Sequence, residues 1–229
     1  MSKSSFENIE ACVFDAYGTL FDFNTAASRY SNLLNGKAEE LNQIWRTKQL
    51  QYTWLHSLMD EYIDFWTLTG NALDFALDAV EIEDLSVKKV LLRAYLELDP
   101  YPEVLNTLEA LKKKNLKIAI LSNGEPKMLK AAVQSAGLSD VIDEIYSVDA
   151  VGVYKPHPSS YQIAVDGLGV PASRISFQSS NSWDAAGAAH FGFRVVWCNR
   201  FGQTHERLPS TPDKEITTLT ELLQIVSEI

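Results

Sequence analysis

The 229-residue chain has only two cysteines, Cys12 and Cys198, and both lie in apolar, strand-like runs. A disulfide framework or a thiolate metal site needs more cysteines at tighter spacing, so both read as buried free thiols. Positive charge is also scarce. Twenty Lys and Arg against thirty Asp and Glu leave a formal net charge of −10, which excludes the basic patch that nucleic acid requires. A small anionic substrate is not excluded, because it feels the local field of a cleft. No apolar run approaches the roughly 18 residues of a membrane span. Residues 1–10 hold no hydrophobic signal core, so the expected compartment is the reducing cytoplasm. The four histidines, His56, His157, His190 and His205, show no metal-ligand spacing. Internal repeats and low-complexity segments are absent too. What is abundant is hydrophobic residues, 46% of the chain, enough to bury a sizeable core.

The chain divides by the period of its hydrophobic pattern. Residues 9–15 read as a buried strand. Residues 24–98 carry no convincing strand and read as helices over 25–34, 37–57, 58–79 and 84–98. Leu41, Ile44, Trp45, Lys48 and Tyr52 show the amphipathic 3–4 spacing. After Pro100 and Pro102 the pattern alternates: helix 103–114, strand 117–121, helix 126–136, strand 144–148, helix 157–168, strand 174–177, helix 183–190, strand 194–198. Such alternation predicts an α/β fold, a doubly wound, Rossmann-like parallel sheet. Residues 1–20 and 99–229 form the expected core, and 21–98 an inserted helical cap. The proline-bearing stretch 208–215 reads as a surface loop and 218–228 as a closing helix.

In open α/β sheets ligands bind beyond the carboxyl ends of the strands. Here those ends carry chemistry. The first offers Asp15, Ala16, Tyr17 and Thr19, the second Ser122-Asn123-Gly124. Tyr154-Lys155-Pro156 follows the third, and Ser179-Ser180-Asn181-Ser182-Trp183-Asp184 ends the fourth. Each segment alone is a common turn or surface feature. Together at successive strand ends they converge on one cleft with two carboxylates, a lysine, hydroxyls and amides.

Asp15-Ala16-Tyr17-Gly18-Thr19-Leu20, Leu121-Ser122-Asn123-Gly124, Val153-Tyr154-Lys155-Pro156 and Asp184 resemble the four motifs of the haloacid dehalogenase superfamily. Within it the chain is similar to the L-2-haloacid dehalogenases. The segments that carry this are Ile44 to Leu50 running into Tyr52-Thr53-Trp54-Leu55, Ser179 to Asp184, Phe191-Gly192-Phe193 and Trp197-Cys198-Asn199-Arg200. Most of the superfamily transfers phosphoryl groups with Mg²⁺ and a second aspartate two residues after the nucleophile. Here that position is Tyr17, a poor acid for the task. Ser180 stands where a further acidic metal ligand is usual, and hard Mg²⁺ wants carboxylate oxygen. Both losses suit a halide leaving group, which needs neither a proton nor a metal.

The resemblance implies the following roles, with no metal and no cofactor. Asp15 attacks C2 of a short L-2-haloalkanoate opposite the halogen and forms an ester. Lys155 holds Asp15 ionised and Thr19 orients its second oxygen. Arg46 and Asn123 receive the halide; by spacing alone Arg46 suits a surface salt bridge equally well. Ser122 and the N–H groups of Ala16 and Tyr17 clamp the substrate carboxylate. Asp184, helped by Ser179 and Asn181, activates the hydrolytic water, with Tyr161 assisting through Lys155 or from the halide side. Phe65 and Trp183 wall the pocket, although core packing explains them as well. Ala16 replaces a leucine often found there, which implies a wider pocket. The product is a D-2-hydroxy acid, and a homodimer through the cap is the family expectation. Two rival readings stand beside this one. A Mg²⁺-dependent phosphatase would hydrolyse phosphate esters, and a non-catalytic small-carboxylate-binding protein would turn over nothing.

Overall fold

The computed structural model describes residues 6–226, apart from the Leu85 side chain. The expected alternation of strand and helix is present. Strands β1 (Ala11–Phe14), β2 (Lys117–Ser122), β3 (Glu144–Ser147), β4 (Ile175–Ser179), β5 (Arg194–Cys198) and β6 (Lys214–Ile216) form one sheet in the order β3-β2-β1-β4-β5-β6. Every pairing is parallel. From β1 the chain first builds outward through β2 and β3, then returns to the other side for β4. The switch point therefore lies at the carboxyl end of β1, where a doubly wound sheet opens a crevice.

Strand residues alternate between two apolar clusters, one on each sheet face. Cys12, Phe14, Ile118 and Ile120 face the larger cluster, with helices α5 (Val104–Lys112) and α6 (Pro126–Ser135). Val13, Ala119, Phe177 and Val195 face the other, with α7 (Pro158–Leu168) and α8 (Ser182–Phe191). Both cysteines are buried and unpaired. Burial pushes the Cys12 thiol up to about 12.

Between β1 and α5 the chain forms α1 (Asn24–Arg29), α2 (Ala38–Leu58), α3 (Phe65–Ala79) and α4 (Leu85–Tyr95). Buried Leu41, Trp45, Gln49 and Thr53 recur every fourth residue of α2. Trp45 Nε1 donates to the Thr69 carbonyl of α3 at 3.0 Å, and Gln49 Nε2 donates to Thr69 Oγ1 at 2.8 Å. The two chain crossings into and out of this helical stretch lie side by side. Asp22 N–H donates to the Asp99 carbonyl at 2.9 Å, and Tyr101 N–H to the Leu20 carbonyl at 3.0 Å.

Three expectations are corrected. The helix read over 58–79 begins only at Phe65: Asp60 takes a positive φ of 55°, and Asp64 caps α3 by accepting from Thr67 N–H. The loop read over 208–215 leads into β6, a three-residue edge strand in which only Ile216 is buried. The helix read over 218–228 shrinks to a 3-10 turn, Leu219–Glu221, and α9, Leu222–Ile225. Its end, 227–228, lies outside the described residues. Among the described residues no helix is long and apolar enough to cross a membrane.

Candidate active site

Asp15 directly follows β1, and its N–H extends the ladder to the Gln178 carbonyl at 2.9 Å. The chain then winds tightly, with the N–H groups of Thr19, Leu20 and Phe21 all donating to the Ala16 carbonyl. The winding needs Gly18 at φ +88°, a region that L side chains avoid. It turns Thr19 back onto Asp15. Thr19 Oγ1 donates to Asp15 Oδ2 at 3.1 Å and accepts from Ser180 N–H at 2.8 Å.

Two further donors fix the Asp15 carboxylate. Asn181 Nδ2 donates to Asp15 Oδ2 at 2.8 Å, and Lys155 Nζ lies 3.2 Å from Asp15 Oδ1. Lys155 also lies 3.0 Å from Asp184 Oδ2, and its side chain is buried. Burial opposes charge on Lys155, but the attraction of Asp15 and Asp184 and their hydrogen bonds outweigh it, so its pKa rises. Burial, with the charge of Asp15, holds Asp184 above the usual carboxylate range against the pull of Lys155.

The remaining expected residues gather around this triad. Asn123 Oδ1 accepts from Lys155 N–H at 3.0 Å. Ser122 Oγ accepts from Gly124 N–H, and Ser179 Oγ from Asn181 N–H, each at 3.1 Å. Among the described residues, the N–H groups of Ala16 and Tyr17 have no backbone acceptor. Tyr17 stacks on Phe65 at 5.7 Å, and its buried hydroxyl has no hydrogen-bond partner among the described residues. Arg46, from α2, donates to Gln49 Oε1 at 2.7 Å and to Asn181 Oδ1 at 3.1 Å. Trp183 meets Trp54 edge to face at 5.4 Å. A cleft of about 420 Å³ opens beside Arg46 and Asn181, lined also by Phe23, Leu50, Trp183 and Phe201. A larger hollow of about 510 Å³, around Lys112, Asp143 and Gly167, lies at the far end of the strands and holds none of these residues.

One placement differs from expectation. Tyr161 donates to Asp184 Oδ1 at 2.8 Å, and Lys155 meets the other oxygen of the same carboxylate. Ala16 is fully buried in the larger apolar cluster. Gln49 and Tyr95 were not anticipated. Gln49 lies one helical turn from Arg46, the spacing at which side chains meet, and Tyr95 donates to it at 3.2 Å.

A divalent ion does not fit this set. The carboxylates of Asp15, after β1, and Asp184, in the first turn of α8, are already bridged by the Lys155 ammonium group. The buried Ser180 hydroxyl is neutral and is set against the Cys198 thiol. Among the described residues, no three His, Cys, Asp or Glu cluster as metal ligands. A hard cation needs more carboxylate oxygen than this.

Residues 9–192 match the haloacid dehalogenase-like hydrolase family. The chain is 45% identical over 219 residues to (S)-2-haloacid dehalogenase 1 of Pseudomonas sp. (strain CBS-3), covering 95% of this chain and 96% of that protein. A solved dehalogenase with an intermediate complex shares 43% identity at a TM-score of 0.94, over 96% of this chain and 97% of the other. The L-2-haloacid dehalogenase from Xanthobacter autotrophicus with chloropropionic acid covalently bound shares 39% at a TM-score of 0.91, over 96% and 99%. The chain belongs to the haloacid dehalogenase-like hydrolases, in the (S)-2-haloacid dehalogenase family.

Proposed function

We propose that the chain hydrolyses short L-2-haloalkanoic acids to D-2-hydroxy acids through an ester on Asp15. One observation carries this: the Asp15 carboxylate is held by Lys155, Thr19 and Asn181, and Asn181 in turn meets the cationic Arg46. A nucleophile and a receptor for a departing anion thus share one hydrogen-bonded side chain. The covalently bound chloropropionic acid of the Xanthobacter relative supports the same chemistry.

In the first step an Asp15 oxygen attacks C2, the carbon–halogen bond breaks, and the halide leaves with the bonding pair toward Arg46 and Asn123. Ser122 and the backbone N–H groups of Ala16 and Tyr17 hold the substrate carboxylate, so only one enantiomer presents its halogen to Arg46. Phe65 and Trp183 keep the site dry, which strengthens these attractions. Ester formation removes the charge of Asp15 and leaves Lys155 paired with Asp184 alone. Water then adds to the Asp15 carbonyl carbon, losing a proton to Asp184, which Tyr161 orients; Ser179 holds the Asn181 turn. The ester C–O bond at the carbonyl breaks, the hydroxy acid takes up a proton, and the inverted C2 is untouched.

Residues 21–98 are proposed as a cap over a core of 1–20 and 99–229. Exposed Leu55, Leu58 and Met59 at the end of α2 support a homodimer through that cap, and the unpaired buried thiols suit a reducing cytoplasm. The deciding experiment is halide release from L- and D-2-chloropropionate in EDTA, with Asp15→Asn as control. Release from the L form alone, lost in the variant, is expected. Release of phosphate from esters only when Mg²⁺ is added would overturn the reading.

A further inference from the structure

Arg200 follows the carboxyl end of β5, and its side chain is only 9% exposed. Its Nη2 donates to the Thr19 carbonyl at 3.0 Å, and its Nη1 lies 2.5 Å from Glu103 Oε1. The guanidinium carbon sits 4.0 Å from the centroid of the Tyr101 ring. Among the described residues its buried Nε finds no acceptor. The head group is therefore aimed by two specific partners and one ring face, although this leaves a donor unsatisfied.

These partners come from two stretches that meet at one place. Thr19 belongs to the tight winding after Asp15. Tyr101 and Glu103 belong to the segment by which the chain returns from the inserted helices, beside Leu20. Thr19 faces both ways: its carbonyl accepts from Arg200, while its hydroxyl donates to Asp15 Oδ2. We propose that Arg200 is a positioning residue for the Asp15 nucleophile. It pins Thr19 by the carbonyl, and Glu103 and Tyr101 set the direction of the pin. A planar fork serves a carbonyl and a carboxylate at once while lying on a ring, whereas an ammonium on a flexible stem does not.

This rests on the dehalogenation reading, and the experiment separates the two. Ester formation and ester hydrolysis are timed by rapid quench, with mass spectrometry of the alkylated enzyme, in wild type, Arg200→Met, Arg200→Lys and Glu103→Gln. Arg200→Met is expected to slow ester formation on the order of 10²-fold, the loss typical of a misplaced reacting group. KM stays near wild type, and hydrolysis of the ester once formed is nearly unaffected, since Asp15 is then neutral. Arg200→Lys recovers part of the lost rate. Glu103→Gln, which keeps the Thr19 bond but weakens the aim, slows the same step less; it serves if Arg200→Met does not fold. Equal slowing of both steps, or a lowered melting point with unchanged rates, would overturn the role of Arg200 and leave the dehalogenation reading standing. A wild type that releases no halide overturns both.

Discussion

Arg46 and Asn181 are 135 residues apart in the chain, yet the Arg46 guanidinium donates to the Asn181 side-chain oxygen at 3.1 Å. The amide nitrogen of the same side chain donates to Asp15. A cation carried by the helices between β1 and α5 is thereby wired to Asp15, the proposed nucleophile.

Arg46→Lys tests that wiring. The guanidinium serves Gln49 and Asn181 together; a lysine ammonium has no planar fork. Halide release is expected to fall on the order of 10²-fold in kcat/KM, the effect of removing one preorganised donor. The thermal midpoint is expected to stay near wild type, because Arg46 is only partly buried and the substitution keeps its charge.

Lys155→Met strands two carboxylates in a buried site. Removing one partner of such a group costs about 3–5 kcal/mol at neutral pH. Without the lysine, the Asp184 pKa rises further, so the variant regains stability as pH falls from 7 toward 5. In the wild type the folded pKa of Lys155 is raised above 10.5, and that of Tyr17, through burial first, well above 10.0. Groups raised on folding contribute fully below their unfolded values and lose that contribution as pH climbs through the folded ones. Urea midpoints are therefore expected to fall above about pH 10, less steeply in the variant.

Gly187→Ala looks favourable by helix propensity alone, by about 0.5–1 kcal/mol. The geometry reverses the sign. A Cβ there would lie 2.5 Å from Pro156 Cβ and 2.6 Å from the Tyr161 hydroxyl. Overpacking of this kind costs about 1–3 kcal/mol. The urea midpoint and kcat are expected to drop together, because Pro156 adjoins Lys155 and Tyr161 holds Asp184.

Tyr161→Phe removes a donor from a fully buried carboxylate. The loss is about 1–3 kcal/mol, read from chemical denaturation. Ester formation is expected to proceed while hydrolysis slows, so alkylated enzyme accumulates and is seen by mass. Equal slowing of both steps would contradict an Asp184 role in the second.

The strand ends were legible in the sequence because short apolar runs stop abruptly at polar residues, as at Asp15 and Ser122, and parallel topology brings such ends together. Other features have no local signal. β6 buries one apolar side chain, so nothing alternates. The helix read over 58–79 overran because Leu58, Tyr62, Phe65 and Trp66 keep helical spacing across a turn whose break rests on the backbone of Asp60 and the cap of Asp64. The bonds of Tyr161 to Asp184 and of Arg200 to Thr19 span 23 and 181 residues. Only the closed sheet discloses them.

The counter-ion of the Asp15–Asp184 pair is the tip of a side chain of the same molecule. A tethered cation has no dissociation constant: it is at full occupancy at any dilution and cannot be stripped by a chelator or replaced by a competing ion. Its supply is settled at translation, so the charge balance of this centre depends on the pH of its surroundings and not on their mineral content.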